Sequence, residues 1–152
     1  MIKYNMVFKY EQNPLQKDIE IILTYPEKNK TVNRIISFIN SVSTQIECYS
    51  ETGVKRVNIS DIYYIESIDK VTAIFCEKES YRTKYRLYQL SEELIDKGFV
   101  QISKFCILNL NKLEKIKPLF NSRVEAILSN GKHLYITRKY RFEVKRKLQE
   151  NA

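Results

Sequence analysis

Residues 99–110 read Phe-Val-Gln-Ile-Ser-Lys-Phe-Cys-Ile-Leu-Asn-Leu, and this stretch decides the fold class of the chain. It is mostly apolar and rich in residues that favour β-strands. The polar pair Ser103-Lys104 interrupts it, and such an interruption more often marks a loop or a bulge than a binding site. We therefore predict β-structure across residues 99–110, with Ile102 and Ile107 in the core.

Further strands are predicted on both sides of this stretch, because short runs of β-branched and aromatic residues recur there between turn residues. Turns are indicated at Glu51-Thr52-Gly53, at Asp69-Lys70 and at Asn130-Gly131, of which the last is the strongest hairpin signal. The predicted strands cover residues 46–50, 54–59, 62–68, 71–76, 80–84, 115–119, 124–129 and 133–137. The chain is therefore expected to be mainly β.

Two helices are predicted within this β region. The first ends at Gly98, and Thr137 is expected to cap the second with its hydroxyl. Their apolar faces are formed by Leu87, Leu90 and Leu94 in the first helix and by Tyr140, Val144 and Leu148 in the second.

The first 44 residues differ from the rest. Residues 18–24 alternate between polar and β-branched residues and stop at Tyr25-Pro26, which predicts a strand. From Asn29 to Val42 the apolar residues recur with helical spacing. We divide the chain into an N-terminal strand–helix segment, residues 1–44, and a β domain, residues 45–152. The nearly balanced charge of the first segment favours a role in dimerisation or regulation.

Basic residues are concentrated in the last third of the chain. Residues 101–152 contain 12 basic and 4 acidic residues, whereas residues 1–100 contain 14 of each, so the net charge of +8 arises in the last third. Much of this surplus lies on the final helix, at Lys139, Arg141, Lys145, Arg146 and Lys147. A one-sided surplus indicates an anionic partner, either a polyphosphate backbone or an anionic membrane.

The residues disfavour most enzymatic and metal-binding classes. The three glycines are isolated and cannot form a phosphate-binding loop, and the single histidine, His133, has no neighbouring metal ligand. We expect no catalysis, no cofactor, no metal and no small-molecule substrate. Cys48, Cys76 and Cys106 are widely spaced and are expected to be buried, reduced thiols. The chain shows neither a secretory signal nor a membrane span, so we expect a cytoplasmic protein.

Three stretches resemble, in order, the motifs of LytTR-type DNA-binding domains. Residues 60–67, Ser-Asp-Ile-Tyr-Tyr-Ile-Glu-Ser, resemble the family's opening Ile-x-Tyr-Ile-Glu strand. Residues 99–113 resemble its segment Phe-Val-Arg-Ile-Ser-Lys-Ser-x-Ile-Val-Asn, and residues 130–140 resemble its closing Asn-Gly … Ile-Ser-Arg-x-Tyr element. The resemblance extends over residues 46–148 and is closest to a short, stand-alone regulator without a receiver domain.

Three positions depart from the family pattern. Gln101 stands where arginine is common and Phe105 where serine is common, which removes one charge and one polar contact. The family's DNA sequence preference is therefore not expected to carry over unchanged, although its fold is. Thr137 replaces a serine and keeps the hydroxyl group.

The resemblance implies an elongated arrangement of antiparallel β-sheets with short helices, which binds DNA through loops at one end instead of a recognition helix. It implies DNA contacts from Lys70, Ser103, Lys104, Arg138 and Lys139, to which the basic start of the final helix adds Arg141. The planar fork of an arginine can pair with guanine, whereas lysines suit phosphates or single acceptors.

We therefore expect a sequence-specific transcriptional regulator that binds duplex DNA as a homodimer on repeated half-sites. Resemblance to short members of the family also implies a small membrane protein that inhibits it. Two alternatives stay open. The chain could be a basic β-module that binds RNA, with tyrosines stacking on bases, or an interaction module for an anionic membrane or protein.

Overall fold

The computed structural model describes residues 5–151, without the side chains of residues 121 and 151. The described residues contain ten strands and two α-helices in the β domain and one α-helix in the N-terminal segment. The strands are β1 (Gln45–Ser50), β2 (Gly53–Asn58), β3 (Tyr64–Ile68), β4 (Val71–Phe75), β5 (Ser80–Thr83), β6 (Phe99–Ser103), β7 (Cys106–Asn109), β8 (Leu113–Pro118), β9 (Val124–Leu128) and β10 (His133–Ile136). The helices are α1 (Lys30–Val42), α2 (Leu87–Leu94) and α3 (Arg141–Asn151).

The strands form two antiparallel sheets. A seven-stranded sheet has the order β2-β1-β5-β4-β3-β7-β6, and a three-stranded sheet has the order β10-β9-β8. Hairpins join β1 to β2, β3 to β4, β4 to β5, β6 to β7, β8 to β9 and β9 to β10. The predicted fold class, mainly β with antiparallel sheets and short helices, is confirmed.

The stretch 99–110 forms two strands, β6 and β7, whose opposite faces belong to two different cores. Phe99 and Ile107 pack in a core that α2 covers, together with residues from β1 to β5. Ile102 and Leu108 pack in a second core with β9, β10 and α3. Burial on both faces explains why this stretch is mostly apolar instead of strictly alternating. The predicted core positions Ile102 and Ile107 are 0% and 1% exposed.

The helices confirm most of the sequence prediction. Asn29 caps α1 by accepting a hydrogen bond from the Val32 backbone N–H at 3.0 Å, so the predicted helix begins at the next residue. The leucine face of α2 is buried, and Val144 of α3 is 2% exposed. Helix α1 packs against α3 and against the short 3-10 turn Ile59–Asp61. None of the helices within residues 5–151 is long and apolar enough to cross a membrane.

The predicted capping role of Thr137 is wrong. Its hydroxyl makes no bond to the helix that follows and instead donates to the Ile102 carbonyl at 3.4 Å. The chain after Thr137 forms a 3-10 turn, Arg138–Tyr140, before α3 begins. A tertiary contact with β6 has taken the place of the local cap.

The predicted strand at residues 18–24 is also wrong. These residues have no regular secondary structure, and Ile19 and Ile22 are 92% and 79% exposed. Alternation favours a strand only where a neighbouring strand can pair with it and a core can cover one face. No strand within the described residues pairs with this segment.

The cysteines are free, as predicted, and two of the three are buried. Burial raises the pKa of the Cys48 thiol to about 11 and that of the Cys106 thiol to about 12. Burial also raises the pKa of Cys76, which is half-buried. All three side chains are therefore protonated at neutral pH, and they serve as small apolar residues.

Candidate nucleic-acid interface

Five connections between secondary-structure elements meet at one end of the molecule. We call this region the basic end and define it as residues 69–70, 84–86, 103–105, 119–123 and 138–141. The strand pairing explains why distant parts of the sequence meet there, since β3, β5, β6, β8 and β10 run towards this end and β4, β7 and β9 start from it.

Two tight turns lie side by side in the middle of the basic end. Asp69 and Lys70 form the β3–β4 turn with φ angles of +49° and +66°, a left-handed conformation that suits a two-residue hairpin. Lys104 and Phe105 form the β6–β7 turn. The Ser67 backbone N–H donates to the Phe105 carbonyl at 2.8 Å and fixes one turn against the other.

The start of the final helical region joins these turns through β6. The Thr137 backbone N–H donates to the Ile102 carbonyl at 2.9 Å, one residue before Ser103. This bond holds the 3-10 turn Arg138–Tyr140 beside the end of β6. The predicted site residues from three separate stretches are thus brought together.

Two segments of the basic end were not predicted from the sequence. Arg86 follows β5, and its guanidinium Nη1 donates to the Lys70 carbonyl at 2.8 Å. Arg123 is the last residue of the β8–β9 loop, which is closed by a hydrogen bond from the Leu119 N–H to the Arg123 carbonyl at 2.7 Å. The hairpin signals could have located Arg86, because pairing of β4 with β5 brings residues 70 and 84 to the same end. Arg123 carries no such local signal.

The charge at this end is one-sided. Its five segments contain a single acidic residue, Asp69, and eight basic residues: Lys70, Lys84, Arg86, Lys104, Arg123, Arg138, Lys139 and Arg141. None of the eight takes part in an ion pair with another described residue. Uncompensated cations on loops create a positive potential that attracts a polyanion.

The predicted site residues differ in how freely they can reach a ligand. Lys70, Lys104, Arg138 and Lys139 are exposed. Ser103 is half-buried, and its hydroxyl accepts a hydrogen bond from the Phe105 N–H at 3.2 Å, so it shapes the turn. Arg141 is half-buried as well.

Arg141 has a structural contact of its own. Its Nη1 donates to the Ser122 carbonyl at 2.8 Å, and Ser122 has a positive φ of +62°. The side chain therefore braces the β8–β9 loop from the start of α3. The remaining N–H groups of the guanidinium are not used by this bond.

The rest of the basic helix is not one continuous cationic surface. Arg146 forms ion pairs with Glu143 and Glu150, and its hydrogen bond to Glu143 lowers the pKa of that carboxyl group. Lys147 is half-buried, and its ammonium donates to the Ile95 carbonyl at 2.8 Å. Exposed basic side chains without an ion pair to another described residue are Arg138 and Lys139 at the start of this region and Lys145 further along the helix.

The opposite end of the molecule has a mixed charge. A shallow cleft of about 460 Å³ lies there, lined by Lys55, Lys78 and Lys112 but also by Asp61, Glu77 and Glu79. Lys55 is close to Glu79, with the ammonium nitrogen 3.9 Å from a carboxylate oxygen. Positive charge at this end is thus partly compensated, in contrast to the basic end.

Comparison with known proteins agrees with this geometry. The family model "LytTr DNA-binding domain" matches residues 52–149. A solved LytTr DNA-binding domain from Bacillus cereus superimposes with a TM-score of 0.66 at 23% identity and covers 70% of this chain and 97% of that domain.

Two curated relatives match by sequence. An HTH-type transcriptional regulator of Staphylococcus aureus is 26% identical over 150 residues, which is 97% of this chain and 99% of that protein. The sensory transduction protein LytT of Bacillus anthracis is 30% identical over 99 residues, which is 65% of this chain and 40% of that protein.

The Staphylococcus relative is named as an HTH-type regulator, but the arrangement of helices in this chain is not that of a helix-turn-helix. Within residues 5–151, five strands separate α1 from α2 and another five separate α2 from α3, so no two helices follow each other as in a helix-turn-helix. The family matched by the β domain consists of DNA-binding domains and is non-enzymatic. Family match, fold and a basic end built from loops agree, and the chain is a DNA-binding protein of the LytTr DNA-binding domain family.

Proposed function

We propose that the protein is a transcriptional regulator that recognises a specific duplex DNA sequence through its basic end. The observation that carries this proposal is the gathering of eight basic residues and one acidic residue on five adjoining loops. Membership of a DNA-binding family supports DNA as the polyanion. The regulatory role is supported by the name of the Staphylococcus relative, which aligns along nearly its whole length.

The exposed side chains of the basic end suit two kinds of DNA contact. The Arg138 side chain is exposed and makes no hydrogen bond to another described residue, so its planar guanidinium group is free to pair with guanine O6 and N7. Lys70, Lys104 and Lys139 have single ammonium groups that suit phosphate oxygens. Phosphate contacts set the register on the duplex, and base contacts set the sequence preference.

The two half-buried site residues have supporting roles in this proposal. Ser103 keeps the β6–β7 turn in shape, and Arg141 holds the β8–β9 loop while directing its remaining N–H groups towards the backbone of the DNA. Their contribution to affinity therefore acts largely through loop geometry.

The proposal predicts a strong and salt-sensitive preference for duplex DNA. If about five to eight phosphates are neutralised, log K plotted against log salt should have a slope of about −5 to −7. The measurement is a titration of a duplex and of single-stranded RNA at equal salt, with the duplex sequence first selected from a random pool. Equal affinity for the RNA would favour an RNA-binding β-module and would overturn the proposal.

We further propose that residues 1–44 join two copies of the chain, so that a homodimer occupies repeated half-sites. The support is the exposed apolar surface of this segment, which includes Phe8, Tyr10, Leu15, Ile19, Ile21 and Ile22. Apolar residues at this density favour association, since burying each one contributes about 1.5–3 kcal/mol. Acidic and basic residues nearly balance in the segment, so two copies can approach each other without strong repulsion.

Replacing Ile19 and Ile22 together with aspartate should convert the protein to a monomer. Sedimentation should show the change, and binding to two half-sites should lose cooperativity while affinity for one half-site stays the same. Val54→Asp is the matched control, because Val54 is 72% exposed on β2, outside the segment. Identical sedimentation of wild type and both variants would refute this role for residues 1–44.

A further inference from the structure

Phe105 is an apolar side chain in the middle of the basic end. It occupies the tip of the β6–β7 turn, directly after Lys104, and is 55% exposed. It belongs to neither of the two cores. A single exposed phenylalanine needs no explanation on an ordinary surface, but this one lies between the turn at residues 69–70 and the turn that begins at Arg138.

The backbone of Phe105 is fixed on both sides. Its N–H donates to the Ser103 hydroxyl at 3.2 Å, and its carbonyl accepts a hydrogen bond from the Ser67 N–H at 2.8 Å. Its neighbour Lys104 places an ammonium nitrogen 5.5 Å from the centre of the ring. The phenyl ring therefore lies beside the ammonium group that a ligand of Lys104 would contact, and moving the turn away would break these backbone bonds.

The chemistry of base edges restricts what a phenyl ring can contact favourably. Every base presents hydrogen-bonding groups in the major groove, and thymine alone adds an apolar C5-methyl group. Covering a donor or acceptor with a ring that cannot bond to it leaves that group unsatisfied, which weakens binding. A phenyl ring therefore discriminates in favour of thymine.

We propose that Phe105 is a specificity-determining residue that contacts the methyl group of a thymine in the bound site. This inference rests on the proposed function, because it requires the basic end to face the major groove of a duplex. In this arrangement Lys104 secures the backbone of the DNA next to the thymine.

The test combines site selection with removal of a single methyl group. Preferred duplexes are selected for the wild type, for Phe105→Ser and for Phe105→Leu, and each thymine of the wild-type site is then replaced in turn by uracil. One such replacement should weaken wild-type binding about fourfold, which corresponds to burial of one methyl group. It should leave Phe105→Ser unaffected, and Phe105→Leu should keep the thymine preference.

Phe38→Ser is the matched control, because Phe38 is 57% exposed on α1, away from the basic end. It should retain the uracil sensitivity of the wild type. Sensitivity that is equal in wild type and Phe105→Ser, or absent from the wild type, would overturn the inference while leaving duplex recognition intact. A further contradicting result would be unstacking of two neighbouring bases by the wild type but not by Phe105→Ser, measured by 2-aminopurine fluorescence. The Phe105 ring would then be inserted between base pairs instead of contacting a thymine methyl group. Failure of every variant to prefer duplex DNA would overturn the proposed function itself.

Discussion

Arg138→Ala is expected to weaken binding to the preferred duplex by about 1–3 kcal/mol and to relax the base preference at one position. The physical reason is the loss of a planar, bidentate donor that nothing in the described chain already occupies. Titration of the variant against the matched duplex and against duplexes with single substitutions measures both effects. Thermal melting serves as the folding control, since an exposed substitution should change the free energy of unfolding by only about 0.5 kcal/mol.

Two further variants separate base reading from general attraction. Arg138→Lys keeps the positive charge but removes the planar guanidinium group. It should therefore retain the slope of log K against log salt but lose the base preference. Lys139 is next along the chain and is also exposed. Lys139→Ala should weaken binding to all duplexes alike, and its slope of log K against log salt should be shallower by about one. If Arg138→Ala instead weakens all duplexes alike, Arg138 is a phosphate anchor and the base contact must be sought at Lys70 or Lys104.

The β domain could largely be predicted because its signals are local. The apolar stretch around Ile102 and Ile107, interrupted by Ser103-Lys104, contains both the strands and the turn between them. The turn residues Asp69-Lys70 and Asn130-Gly131 define two further hairpins without reference to the rest of the chain. The strands and turns predicted from these patterns are present in the structure because local backbone preference and core packing favour the same arrangement.

The errors occur where distant contacts decide the outcome. Residues 18–24 have the alternation of a strand, but local alternation does not supply a pairing partner. The Thr137 hydroxyl is within reach of the Ile102 carbonyl only after β6 and the start of the final helix have packed together. Neither the lack of a pairing strand nor the Thr137–Ile102 hydrogen bond could be predicted from residues that are adjacent in the sequence.

Local sequence signals indicated some residues of the candidate site, and tertiary contacts add the others. Lys70, Lys104 and Arg138 lie in turns or element starts that the sequence marks. Arg86 and Arg123 join them only through the β4–β5 pairing and the packing of the small sheet against the large one. Likewise, the pairing of Arg146 with Glu143 reduces the unpaired charge on a helix in which basic residues outnumber acidic ones.

The largest effect is expected when four cations of the basic end are removed together. A variant with alanine at Lys70, Lys104, Arg138 and Lys139 loses four of the charges that we assign to DNA contact. Since each neutralised phosphate contributes about 0.9 to the slope of log K against log salt, the slope should become shallower by about 3 to 4.

A second variant has alanine at Lys55, Lys78, Lys112 and Lys132, which surround the opposite end. This variant also removes four positive charges from the net charge of +8, so the two variants have the same net charge and any effect of overall charge is identical in them. Three of these lysines lie over the rings of Tyr81, Tyr63 and Tyr64, and thermal melts must establish that both variants are folded.

The most direct test of recognition through the basic end is the slope of log K for duplex DNA against log salt, measured side by side for the wild type and these two variants. The account predicts a slope shallower by about 3 to 4 for the basic-end variant and by less than about one for the opposite-end variant. Equal changes in the two slopes would contradict it, because binding would then depend on total charge and not on the surface where the loops meet.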